Sequence, residues 1–127
     1  MKNKDKSHDK DICALIVEPI QAEGGDNHCS PQFFKKLRKL CYDNDIIFIV
    51  DEVQTGVCAT GQFWAHDHWN LTEEDGGAPD IVTFAKKMAS CGFYYKKYLK
   101  VQEGYRIFNT WCGDPIKLLQ TKVICDE

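Results

Sequence analysis

Four side chains stand where an open sheet would put its chemistry. Glu18 and Glu23 follow the apolar run 13–17 (CALIV), Asp51 follows 46–50 (IIFIV), and Lys87 follows 80–84 (DIVTF). Ligands of open parallel sheets bind beyond the carboxyl ends of the strands, so acids and an amine gathered at that edge need a reason. Burying an unpaired charge is costly, and a desolvated lysine tends to lose its proton. Either these groups pair with one another or a ligand completes them.

The apolar runs are the elements that must position those groups. They are short, continuous rather than alternating, and rich in β-branched residues, which is the pattern of strands covered on both faces in a parallel sheet. Between the first two, Ser30 and Pro31 can open a helix, serine as cap and proline at the first helical position. Phe33, Phe34, Leu37, Leu40 and Cys41 recur at helical spacing, and the basic cluster Lys35, Lys36, Arg38 and Lys39 is expected on a solvated face. Strand, helix, strand is a βαβ crossover with parallel strands.

A long polar and aromatic connection, 54–79, leads to the third strand through Gly76, Gly77, Ala78 and Pro79. Residues 93–99 (FYYKKYL) suit an edge strand or hairpin, and Asp114 with Pro115 begins another helix. The nearly all-polar residues 1–10 are expected to form a flexible lead-in. The expected class is therefore α/β, a mostly parallel sheet with flanking helices.

Composition narrows the function classes. The 127 residues carry 43% apolar and 28% charged side chains with a net charge of -3, which suits a globular domain and gives no reason to expect nucleic acid or an anionic membrane as partner. Apolar runs reach about seven residues, against roughly 20 for a membrane helix. Seven cysteines, odd in number and without a C-x-x-C pair, are read as reduced, small apolar fillers rather than as a zinc or redox site. His66 and His68, set between Trp64 and Trp69, are read as packing or hydrogen-bonding residues, and no metal is assigned. No G-x-G-x-x-G or P-loop pattern follows a strand, which argues against a doubly wound nucleotide-binding domain.

Five stretches occur together in one order: VEPIQAEGGDNH (17–28), FIVDEVQTG (48–56), TGQFWAHDHW (60–69), PDIVTFAKKM (79–88) and YRIFNTWCGDP (105–115). DEVQTG resembles the pyridoxal-phosphate-dependent class III aminotransferases in general. EGGDNH, FWAHDHW and FNTWCGDP narrow the resemblance to the 4-aminobutyrate aminotransferases. The resemblance implies part of a fold type I large domain over 11–127, with the N-terminal part and the small C-terminal domain having no counterpart in these residues.

The same resemblance implies pyridoxal 5'-phosphate as cofactor and a homodimer that transfers an amino group from a small amino donor to 2-oxoglutarate. Asp51 would pair with the ring nitrogen, and Gln54 would bond the phenolic oxygen. Lys87 would form the Schiff base and act as the catalytic base, Lys86 being the competing candidate. Thr110 would reach the phosphate of the neighbouring subunit. Glu23 would lie in the substrate site beside an arginine from elsewhere. Family members in eukaryotes are mitochondrial, with an import segment upstream of these residues; a cytoplasmic location is the other option, as is a truncated, inactive chain that only associates with a full-length subunit. One departure bears on geometry: Val57, Cys58 and Ala59 replace a glycine-rich loop, which would be strained if one of those positions needs positive φ.

Overall fold

The structure, a computed structural model, describes residues 12–108, 110 and 113–126. The lead-in expected over 1–10 lies outside them. The chain runs β1 (Ala14–Val17), α1 (Pro31–Asp43), β2 (Ile47–Asp51), β3 (Ile81–Phe84), β4 (Gly92–Tyr95) and α2 (Pro115–Asp126). The four strands form one sheet in the order β1-β2-β3-β4. β1, β2 and β3 are parallel and β4 pairs antiparallel with β3, so the sheet is mostly parallel, as its apolar runs predict.

Local chemistry sets the ends of α1. Ser30 caps it, its hydroxyl accepting the Phe33 N–H at 3.3 Å, and Pro31 occupies the first turn, where no backbone donor is missed. The helix stops where Asp45 turns left-handed at φ 56° and the Asn44 N–H folds back on the Cys41 carbonyl.

Phe34 and Cys41 on α1 pack with Phe48, Val50 and Trp69, flanked by Leu15, Val17 and Leu37. Phe34 stacks on Trp69 with ring centroids 4.0 Å apart. Burying each of these aromatic side chains contributes about 1.5–3 kcal/mol, so this layer fixes the sheet to α1.

Three sequence expectations change. Among the described residues β1 is not covered on both faces: Leu15 and Val17, with Phe48 and Val50 of β2, pack toward α1, while Ile16, on the opposite face, is 61% exposed. Arg38 does not belong to a solvated basic face, for it is buried and paired. Of the six described cysteines, only Cys41 is a buried filler, and burial raises its thiol pKa; Cys13, Cys29, Cys58, Cys91 and Cys125 are exposed.

Candidate active site at the sheet edge

Asp51 is the last residue of β2 and the register partner of Thr83 on β3. Lys87 comes four residues after Thr83, in a short 3-10 turn just past the end of β3. Parallel pairing therefore sends Asp51 and Lys87 to the same margin of neighbouring strands. The loop that carries Glu23 leaves β1 at that margin too. Residues scattered along the chain meet there because three parallel strands end side by side.

Asp51 is half-buried, and its Oδ1 accepts the Val53 N–H at 3.0 Å, an arrangement that starts the following turn. No donor reaches its second oxygen among the described residues. Beside it the buried hydroxyl of Thr83 has no hydrogen-bond partner among the described residues.

Gln54 and Lys86 meet directly: the Lys86 amine donates to the Gln54 side-chain oxygen. An ammonium group can only donate, so Gln54 must turn its oxygen toward Lys86 and its amide N–H groups away. Lys86, exposed like its neighbour, orients Gln54, and it does so from left-handed backbone at φ 49°. Lys87 is exposed and makes no hydrogen bond among the described residues. Glu23 is exposed, in a loop braced by Glu18, whose carboxylate accepts the Ala22 N–H at 2.8 Å. Thr110 lies in an exposed turn before α2, with no hydrogen bond to Asp51, Gln54 or Lys87 among the described residues.

The turn after β2 is locked by a residue not singled out in the sequence. Glu52 is 1% exposed; its carboxylate accepts the Thr55 hydroxyl, the His66 N–H at 2.8 Å and His66 Nδ1 at 2.9 Å. Burial pushes its pKa up, but these hydrogen bonds outweigh burial and hold it below the usual range. His66 thus serves as a donor to Glu52, and His68 bonds the Thr60 carbonyl at 3.0 Å, so both histidines are hydrogen-bonding residues. The available signal was the strand pleat, which turns Glu52 away from Asp51 and inward.

Past this lock the backbone is left-handed at Val57 (φ 58°) and Cys58 (φ 60°), two residues for which that region is strained. The positive φ raised as a condition by the sequence departure is thus present. Alongside the site, a cleft of about 590 Å³ is lined by Phe84, Lys86, Cys91, Tyr94, Asp114 and Lys117.

Parallel strands that end side by side, with an acid on one and a lysine just beyond the next, define an open α/β sheet whose charged residues gather at one margin. The chain belongs to the class-III aminotransferase family, whose profile matches residues 1–124. It is 58% identical over 114 residues to a probable mitochondrial 4-aminobutyrate aminotransferase of Caenorhabditis elegans, covering 90% of this chain and 23% of that protein. Against the human mitochondrial 4-aminobutyrate aminotransferase it is 52% identical over 116 residues, 91% of this chain and 22% of that protein. The chain thus spans less than a quarter of the length of these curated relatives.

Among solved structures, ornithine delta-aminotransferase of Plasmodium falciparum superposes with a TM-score of 0.74 at 27% identity, covering 90% of this chain and 31% of that one. A lysine aminotransferase from M. tuberculosis in the internal aldimine form matches at 46% identity with a TM-score of 0.57, covering 63% of this chain and 17% of that one. The mostly parallel sheet with flanking helices is part of the fold these aminotransferases share.

Proposed function

We propose that this chain is the segment of a 4-aminobutyrate aminotransferase that grips pyridoxal 5'-phosphate from the ring-nitrogen side and supplies the catalytic lysine. The observation that carries the proposal is the shared strand margin of Asp51 and Lys87, read with identity above 50% to two 4-aminobutyrate aminotransferases. The residues fit the cofactor chemically. Asp51 has one carboxylate oxygen with no donor among the described residues, which suits a protonated ring nitrogen, and Gln54, its oxygen held by Lys86, has amide N–H groups left that would suit a phenolic oxygen.

When bound, the cofactor supplies an electron sink for a substrate carbanion. Asp51 would keep the ring nitrogen protonated; a unit-charge contact at about 4 Å in an effective dielectric near 20 would contribute roughly 4 kcal/mol before desolvation. Lys87, on a flexible stem, would hold the cofactor and, as one base within reach of two carbon atoms, could move a proton between them. Glu23 helps shape the substrate site, and Thr110 reaches a phosphate across a homodimer. The amino donor is 4-aminobutyrate and the acceptor 2-oxoglutarate, in the mitochondrion, where several relatives by name reside. Residues 11–127 form part of the cofactor-binding large domain.

The proposal is tested by titrating the chain into pyridoxal phosphate and following the visible absorption of the bound form. A weak but saturable band is expected, together with a loss of affinity of about tenfold or more in Asp51→Asn, since removing one unit charge from such a contact forfeits more than 1.4 kcal/mol. An unchanged titration in Asp51→Asn would remove the ring-nitrogen role.

A further inference from the structure

The sheet face that carries Asp51 also carries a buried hydroxyl with no hydrogen-bond partner among the described residues. Thr83 is the register partner of Asp51 on the adjoining parallel strand, and register partners project to one face. The Glu52 N–H donates to the Thr83 carbonyl at 3.1 Å, which keeps the two strands in step at this point. The Thr83 hydroxyl oxygen is buried and has no partner among the described residues. On its other side, its register partner is Phe93, whose side chain offers no acceptor.

Buried hydroxyls in folded proteins are nearly always paired, so one without a partner points to a state of the site in which it is bonded. Packing does not account for it, since valine has the same shape and suits a strand at least as well. Asp51 supplies the missing half. Its Oδ1 is occupied by the Val53 N–H, while its other oxygen has no donor among the described residues. Adjacent strands lie about 4.8 Å apart, a gap that a rotation of the threonine side chain can close to a hydrogen bond.

We infer that Thr83 is a positioning residue for Asp51: its hydroxyl donates to the free carboxylate oxygen and holds the carboxylate facing the ring nitrogen of the bound cofactor. The inference rests on the cofactor reading of Asp51 given above. A carboxylate held from both sides gives up less rotational freedom on binding, so the hydroxyl acts on affinity for the cofactor rather than on the fold.

Fold and ligand effects of this hydroxyl have opposite signs, which makes the test decisive. Thr83→Val and Thr83→Ser are prepared in the full chain, and each is measured twice: thermal midpoint without ligand, and dissociation constant for pyridoxal phosphate by absorbance titration. Thr83→Val is expected to melt no lower than wild type, because an unpartnered polar group has been removed, yet to bind the cofactor about tenfold more weakly, the loss typical of a hydrogen bond to a charged group. Thr83→Ser, which keeps the hydroxyl, is expected to bind within about twofold of wild type. Wild-type affinity in Thr83→Val overturns the inference while leaving the cofactor reading intact. Weak binding in both variants with lowered midpoints also overturns it, assigning Thr83 to packing. A wild-type chain with no saturable band refutes the cofactor reading and this inference with it.

Discussion

Arg38 of α1 and Asp80, one residue before β3, are joined by two hydrogen bonds of 2.7 and 3.0 Å in the buried layer of the molecule. Arg38 also donates to the carbonyls of Gly77 at 3.2 Å and Gly76 at 2.6 Å. Asp80 in turn accepts the Phe48 N–H at 2.9 Å and pairs with Lys96 at 3.1 Å. One side chain thus ties the helix to the end of the long connection, and one carboxylate ties that connection to β2 and to the segment after β4.

Removing one partner leaves a buried charge alone, so Arg38→Ala is expected to destabilise the chain by about 3–5 kcal/mol. Lys39→Ala, which breaks only the exposed Lys39–Asp43 pair, is expected to cost less than about 0.5 kcal/mol. Urea denaturation of the two variants separates these outcomes, and equal midpoints would contradict the buried role of Arg38.

Acid sensitivity follows from two carboxylates. Burial opposes the charged form of Asp80, but the Phe48 N–H, Arg38 and Lys96 outweigh it, so its pKa lies below the ordinary value; Glu52 is lowered in the same sense. A group whose folded-state pKa is depressed releases its proton more readily in the folded chain. Its stabilisation is complete above the unfolded values of about 3.9 and 4.3 and is lost as pH falls from there through the folded values. Unfolding free energy measured from pH 7 to pH 3 should therefore hold above about pH 5 and drop below about pH 4. Stability that rises on acidification would contradict both assignments.

The positive φ at Val57 and Cys58 predicts different results for two similar substitutions. Left-handed backbone costs a side chain about 1–2 kcal/mol, and glycine gives back about 0.5–1 kcal/mol in unfolded-chain entropy. Cys58 is exposed, so Cys58→Gly should stabilise by about 0.5–1 kcal/mol. Val57 is buried, and losing its side chain forfeits roughly 1.5–3 kcal/mol, so Val57→Gly should be neutral or destabilising. Thermal midpoints of the two variants check this; a destabilised Cys58→Gly would mean that the loop is not strained there.

Much of this was legible in the residues. Continuous β-branched runs and the Ser30–Pro31 start gave the parallel β1–α1–β2 unit, because hydrophobic pattern and capping chemistry are local. What escaped were pairings between distant positions. Arg38 falls among lysines in the sequence, yet it shares a helix face with Phe34 and Cys41 at spacings of four and three, and its partner lies 42 residues away. Glu52 adjoins Asp51 but points inward to His66, 14 residues on. The exposed Ile16 face shows the reverse limit: an apolar run states that a strand can be covered on both sides, and the described residues cover one.

The central proposal, drawn from the family resemblance, is that Lys87 and not Lys86 beside it would be the cofactor-linking lysine. Both lysines are exposed; Lys86 donates to Gln54 and lines the cleft beside the site, whereas Lys87 makes no hydrogen bond among the described residues. The most direct measurement is to mix the chain with excess pyridoxal phosphate, reduce with borohydride, and map the labelled lysine by peptide mass spectrometry in wild type, Lys86→Ala and Lys87→Ala. Label concentrated on Lys87, retained in Lys86→Ala and lost in Lys87→Ala, is the predicted result. Label on Lys86, or spread evenly over the surface lysines, would contradict it.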